Sequence, residues 1–402
     1  MNRKAFTSVA LMLILTLMAG CSKSGGPAPS SGGDSKTPEK QVELTLLNLM
    51  GLRREALDEV IYAYQEKHPG VRIKVKESQL NQFQTQDGKF NQALLEGVDL
   101  AIVPGYLAST GLGQGLLKDL TNVRLPQLDP SIALLYDDLS KVDGKRFGLP
   151  IVVDPGMLMV NLAQLAKAGI KDLPLDWTLQ EFEQTMTALK NANIPGQLML
   201  SGLMEPIIRA YGGKMYDAAK QAWAFDSPEA KQALAWIARQ VTDGNLKQDG
   251  DKIQIMIGGP NGPGIMALPK AVVQMPGMTL QPYPKGPKGR YSPASATVGV
   301  VSAQSKNPEA AVEFLRETIS AAYAQQALAK NGVRPVLNDA KAMAAWQESV
   351  GERTAKGTEL ALEGAYVDSG KNSRDLMQGL APYFGGTAGL DETVAKLMTT
   401  LK

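Results

Sequence analysis

The stretch QVELTLLNLMGLRREALDEVIYAYQEKHPGVRIKV, residues 41–75, decides the fold class. Val42 to Leu49 is a β-rich, largely apolar run of strand length. From Leu52 to Lys67 the apolar residues Leu57, Val60, Ile61 and Tyr64 recur at helical spacing, which predicts an amphipathic helix. His68-Pro69-Gly70 stops it, because proline cannot continue a helix and glycine accepts the turn. Val71, Ile73 and Val75 then alternate with charged residues, as in a strand with one face in water. Strand, helix and strand in that order predict an α/β architecture.

Downstream sequence repeats the alternation. Phe90 to Leu95 reads as a short helix and Leu100 to Val103 as a fully apolar strand. Thr178 and Glu181 form a capping box, with Trp177 and Phe182 as the hydrophobic staple around it. Ser227-Pro228-Glu229 combines an N-cap with proline at the first helical position, and Gly244 ends that helix. Asn307-Pro308-Glu309 repeats the device and Gly332 closes the helical stretch it opens. Ala340 to Lys402 reads as mostly helical, and no internal repeat is found. Lys247 to Pro293 is poor in regular pattern; its GGPNGPG run, residues 258–264, fits neither helix nor central strand.

The amino terminus sets the compartment. Arg3 and Lys4 precede an apolar run from Phe6 to Gly20, shorter than the roughly 20 residues that span a bilayer, so a signal peptide is expected over residues 1–20. Leu17-Met18-Ala19-Gly20-Cys21 resembles the lipobox of bacterial lipoproteins, and the resemblance implies that Cys21 is the lipidated first residue of the mature chain. Cys21 is the one cysteine in 402 residues, so no internal disulfide can form. Residues 22–40, rich in Ser, Gly, Pro and Lys, cannot bury enough apolar surface to offset ordering entropy and read as a flexible linker after the anchor. The remaining body of about 360 residues exceeds what one core usually supports, so two lobes are expected. With Arg3 and Lys4 removed, 40 basic residues balance 40 acidic ones. That balance, with no basic stripe, argues against a nucleic-acid partner.

From Gln41 onward the sequence resembles the extracytoplasmic solute-binding proteins of ABC importers, of the maltose- and oligosaccharide-binding type. The landmarks come in the family's order: Lys67 to Val75 at the first helix-to-strand turn, Gly97-Val98-Asp99-Leu100-Ala101-Ile102 with Gly115-Leu116-Leu117-Lys118-Asp119-Leu120, and Gly148-Leu149-Pro150 to Asn161 at the first crossing. Ala168-Gly169-Ile170 with Trp177-Thr178, Gly212-Gly213, Phe225 to Glu229 and Ser305 to Ala311 follow. The resemblance implies a periplasmic-binding-protein-like fold, two α/β lobes around a hinged ligand cleft. Lobe 1 would hold 41–149 and 298–338, and lobe 2 would hold 150–297 and 339–402. It also implies a monomer at the extracytoplasmic face of the cell membrane, whose partners are a sugar-like solute, the ABC permease subunits with their ATPase, and the membrane through the lipid anchor. No cofactor and no metal are expected.

Ligands of such a cleft meet strand ends and chain crossings. The candidate ligand-binding residues are therefore Asn48, Met50 and Arg53 after the first strand, Tyr106 with Pro104 and Gly105 after the apolar strand, and Asp154 at the first crossing. Tyr211, Asn261 and Lys270, with Glu205, are the second lobe's candidates, and Thr297 with Ser295 those of the last crossing. Asp154 interrupts a nearly apolar run and has two readings: a carboxylate that accepts hydrogen bonds from solute hydroxyls, as the resemblance implies, or a turn residue before Pro155-Gly156. Tyr106 reads as a ring at the cleft lip or a packed surface tyrosine; Arg53 as a ligand partner or a solvated first-turn residue. Trp177 is assigned to its staple, and Trp223, Trp236 and Trp346 to the interior. The sequence departs from sugar-binding relatives in aromatics: Val103, the Ile265 to Lys270 stretch and the Ser373 to Leu376 region offer none for ring stacking.

An enzyme is not expected. His68 is the one histidine and sits at a helix end, which leaves no His-based triad or multi-His metal site, and the 258–264 loop lacks the Gly-Lys-Ser/Thr of a phosphate cradle. The competing reading is a solute-sensing or structural surface lipoprotein with the same fold and no transport role.

Overall fold

A computed structural model describes residues 41–49, 52–78, 90–194, 203–217, 220–249, 252–255, 276–367 and 373–401. Among them six strands form the main sheet: β1 (Val42–Asn48), β2 (Val71–Glu77), β3 (Leu100–Pro104), β4 (Leu149–Pro155), β5 (Ser292–Val301) and β6 (Ala365–Val367). β1 runs parallel to β2 on one side and to β3 on the other. β5 runs antiparallel to β3 and, on its opposite edge, to β4; its first residues also pair in parallel with β6.

Burial explains the sequence of each strand. β3 is buried on both faces and is accordingly apolar without alternation. β2 lies at the edge and alternates apolar with charged residues. β5 does both. Ser292 to Thr297 alternate between buried and half-exposed, while Val298 to Val301 are all buried. This strand therefore begins with one open face and ends inside the core.

The first helix spans Arg54–Lys67 and buries Ala56, Leu57, Val60, Ile61 and Tyr64, the predicted stripe. His68 ends it, stacks on Tyr64 with centroids 4.2 Å apart and brings Nε2 within 2.7 Å of Glu317, which ties this helix to the Pro308–Ser320 helix. The first hydrophobic core takes residues from β1 to β5, the first helix, and the Pro308–Ser320 and Ala322–Lys330 helices.

A second large core begins at Leu158 and Val160 and gathers Phe182, Met186, Ile207, Ile208, Leu234, Trp236, Leu376 and Leu380. Its helices include Leu179–Asn191, Pro228–Thr242, Ser373–Phe384 and Leu390–Thr400. The Thr178–Glu181 capping box is present, and Trp177 donates its indole N–H to Pro282 O at 2.7 Å, so this ring is a buried staple. Ser227 caps its helix through Ala230 N, with Pro228 in the first turn. Asn307 makes no side-chain cap; its amide instead donates to Glu43 O, 3.3 Å away, and Pro308 alone marks the helix start.

Core membership places the crossings differently from the sequence boundaries at 149/150 and 297/298. β4 stays with the first core through Val153, and the second core begins at Leu158. Likewise Ala294 and Ala296 already belong to the first core. Of residues 339–402, Ala340–Val350 packs on the Ala322–Lys330 helix around Trp346, and Leu362 joins the first core, while Leu376 to Leu397 join the second. Trp346 decides this, since the Ala322–Lys330 helix offers its indole a dry surface that local periodicity does not specify.

Two glycines pin the crossings. Gly156 N donates to Pro293 O at 2.6 Å, and a Cβ at Gly156 would come within 2.9 Å of that oxygen. A Cβ on Gly364 would overlap the Arg290 carbonyl. Only glycine allows the backbones this close. Among the described residues no helix is long and apolar enough to cross a membrane.

Candidate functional site

Register brings four of the predicted residues, with Pro293 and Tyr366, to one face of the main sheet. Asp154 lies opposite Ser295, Thr297 lies opposite both Val152 and Pro104, and Pro293 lies opposite Tyr366. Residues paired across a sheet share a face, as do residues two apart along one strand. Pro104, Asp154, Pro293, Ser295, Thr297 and Tyr366 therefore point the same way, and all six are half-exposed. Gly105 follows Pro104 closely enough to β5 that a Cβ there would lie 3.4 Å from Ala296 O. Tyr106 comes next and is 56% exposed, at the rim of this face.

Asp154 is the chemical centre of the face. Dense protein surrounds its carboxyl, while the residue as a whole is half-exposed. Burial pushes its pKa up to about 6, against a smaller downward pull from Arg334. Arg334 is buried and already engaged: its Nε donates to Glu359 at 2.7 Å, and its Nη2 donates to Asp129 and Ser131, each at 3.2 Å. It also lies 5.9 Å from the centroid of Trp346. Asp129 is half-buried, and although that burial raises its pKa, hydrogen bonds from Ser131 and the charge of Arg334 hold its carboxyl below the usual range. The Asp154 carboxylate makes no hydrogen bond or ion pair to any described residue. A carboxylate held in such surroundings without a partner is poised for donors from outside. Ser295 and Thr297 add two hydroxyls with no acceptor or donor among the described residues.

Other sequence candidates have different fates. Asn48 is 1% exposed; its Nδ2 donates to Leu52 O at 3.0 Å and to Glu77 at 3.3 Å, and its Oδ1 accepts from Leu52 N. Its amide closes the turn after β1 and is taken up by these internal partners. Arg53 is half-buried at the N-cap of the first helix. Tyr211 packs half-buried on the second core, and burial raises its pKa; its charged neighbours are Arg239 and Glu183 on the two long helices there. Glu205 holds Arg209 at 2.6 Å and accepts from Met215 N at 3.0 Å. Met50, Asn261, Lys270 and Cys21 lie outside the described residues.

Two neighbours of the face escaped the sequence reading. Tyr366 stands on β6, and the Arg209 guanidinium, from the Met204–Ala210 helix, lies 3.9 Å from the centroid of its ring. The available signal was the aromatic residue in Ala365-Tyr366-Val367, a β-prone triplet in an otherwise helical segment. A cavity of about 190 Å³, lined by Leu162, Leu165, Leu173 and Arg353 among others, lies elsewhere and shares no residue with this face.

Residues 59–354 match the family model described as bacterial extracellular solute-binding protein. The chain belongs to this family. Its fold recurs in solved structures of solute-binding proteins. An ABC substrate-binding protein of Listeria monocytogenes in complex with cycloalternan aligns with a TM-score of 0.66 at 17% identity, over 89% of this chain and 97% of that one. The cyclic alpha-maltosyl-1,6-maltose binding protein of Arthrobacter globiformis aligns with a TM-score of 0.70 at 18% identity, over 89% and 97%. Maltose-bound MalE3 of T. maritima aligns with a TM-score of 0.62 at 16% identity, over 89% and 98%. At these identities the likeness is one of fold. No curated protein sequence matches the chain. The solute-binding family is defined by capture of a ligand rather than its conversion, and the half-exposed face with its unpartnered carboxylate accords with that.

Proposed function

We propose that this chain is the substrate-binding lipoprotein of an ABC importer, anchored through Cys21 at the extracytoplasmic face of the membrane, and that its solute is carbohydrate-like. The two cores are the two lobes, the chain passes between them at Pro155–Leu158 and near Arg290–Ser292 and Gly364, and solute closes them about these crossings. The closed form is what the permease subunits and their ATPase engage, one monomer at a time.

The observation that carries this reading is Asp154: a half-exposed residue whose carboxylate is unpartnered among the described residues, beside Ser295 and Thr297 on the same face. Polyol hydroxyls donate to a carboxylate and exchange hydrogen bonds with hydroxyls, which is the chemistry that sugar offers. The cycloalternan complex of the Listeria protein, the maltose-bound T. maritima protein and the Arthrobacter protein that is named for binding a cyclic maltosyl-maltose are consistent with it.

A thermal-shift screen of the chain against mono- and oligosaccharides, polyols, amino acids and short peptides tests the reading. A ligand at a hundred times its Kd stabilises the native state by about 2.7 kcal/mol, a shift of a few degrees for a chain of this size. A shift confined to carbohydrates and lost in Asp154→Ala supports the proposal. A shift with another class, or none with any, rejects it, and the latter favours the sensing or structural alternative.

A further inference from the structure

We propose that Arg209 and Tyr366 form the anion-selecting end of the solute site, and that the preferred solute is a sugar bearing a carboxylate, such as a uronate. This rests on the reading above that the half-exposed sheet face receives a sugar-like solute.

The argument begins with the way Arg209 is held. Its Nε donates to Glu205 Oε1 at 2.6 Å, and Glu205 is itself fixed through Oε2 by the backbone N–H of Met215. The guanidinium carbon sits over the Tyr366 ring, 3.9 Å from its centroid. These contacts fix the fork's direction while using one of its five N–H groups. Among the described residues neither terminal nitrogen of Arg209 has an acceptor, although only 20% of the side chain is exposed. A largely covered guanidinium with an open terminal fork is matched to a planar two-oxygen acceptor, which is a carboxylate.

The sheet register then fixes what lies beyond. Tyr366 is opposite Pro293, and Asp154 is opposite Ser295 on the other edge of the same strand. Two strand spacings across and two residues along separate Tyr366 from Asp154 by about 12 Å at Cα. A hydroxyl-bearing ring system of one or two sugars fits that span. Its hydroxyls would meet Asp154, Ser295 and Thr297 at one end, and its carboxylate would meet Arg209 at the other. Asp154 also works against a carboxylate at its own end, so the two poles orient the solute in one sense. Tyr366 supports both partners: it backs the guanidinium and borders the path between the poles. Glu205 balances the charge of Arg209 when the site is empty, so the cation need not be expelled from its half-buried position.

The test is isothermal titration of the full chain with glucuronate, galacturonate and a di-uronate, beside glucose, galactose and maltose, for the natural sequence and for Arg209→Gln and Tyr366→Leu. The expected result is that acid sugars bind at least about tenfold more tightly than their neutral counterparts, as loss of a charge-assisted hydrogen bond predicts. Arg209→Gln abolishes this preference, Tyr366→Leu reduces it, and uronate affinity alone falls as salt is raised. Should Arg209→Gln fail to fold, Tyr366→Leu and the salt dependence carry the test. Neutral sugars that bind as tightly as acid ones, or a preference that survives Arg209→Gln, overturn this inference and leave the carbohydrate reading intact. Binding of neither class overturns both.

Discussion

Replacing Asp154 by asparagine removes the charge while keeping the shape, and it should stabilise the protein at neutral pH. The ordinary value for this carboxyl is 3.8 and burial lifts it to about 6. The folded state therefore holds a proton that the unfolded chain has released between about pH 4 and pH 6, so stability falls as pH rises through that window. Below it both states are protonated and the cost vanishes; above it both are ionised and the cost is full. Two pKa units correspond to about 3 kcal/mol, and partial access to solvent lowers the expected figure to about 1–3 kcal/mol. Spread over the melting entropy of some 360 residues, this is a rise of about 1–4 °C for Asp154→Asn near pH 8, shrinking to nothing near pH 4. Denaturant titrations of both proteins at half-unit pH steps measure it, with calorimetry as a second probe. Curves that stay parallel from about pH 4 to pH 7, or a variant less stable than the natural chain at pH 8, would show the carboxylate to be solvated or paired. The reasoning that makes Asp154 a waiting acceptor would then fail.

Three further outcomes are expected. Arg334→Met should destabilise by about 3–5 kcal/mol in urea titrations, because it strands Asp129 and Glu359 without their shared cation; it should also move the Asp154 window to higher pH by removing the one attraction that lowers it. Gly364→Ala should lose about 3 kcal/mol or fail to accumulate as folded protein, since its methyl has no room beside Arg290 O; a variant with natural stability would remove the close crossing as a constraint. Thr178→Ala should cost about 1 kcal/mol through loss of the N-cap to Glu181 N, read as a small drop in melting temperature with solute affinity unchanged.

Much of the fold was legible because its signals are local. The stripe Leu57, Val60, Ile61 and Tyr64 states which way the first helix faces, and Thr178 with Glu181 states where another begins. The alternation of Val71, Ile73 and Val75 announces an edge strand. The same logic placed Asp154, since a charge inside an apolar run is visible without knowing what surrounds it. Asn48 shows the opposite case. Its position at a strand end suggests a ligand, but its amide groups find Leu52 and Glu77 only once the chain has turned and β2 has paired beside β1.

By itself the sequence determined the α/β class, the family and those elements marked by local signals, such as the first helix and the Leu179–Asn191 helix, because hydrophobic period, caps and breakers act over a few residues. Tertiary structure alone decided which residues share the half-exposed face of the sheet. Asp154, Ser295 and Tyr366 meet through strand pairings between segments far apart in the chain, and Arg209 reaches Tyr366 from a helix of the other core. A register set by long-range pairing and a contact between two cores leave no local period to read, so the polar arrangement of the site emerges only when the chain has folded.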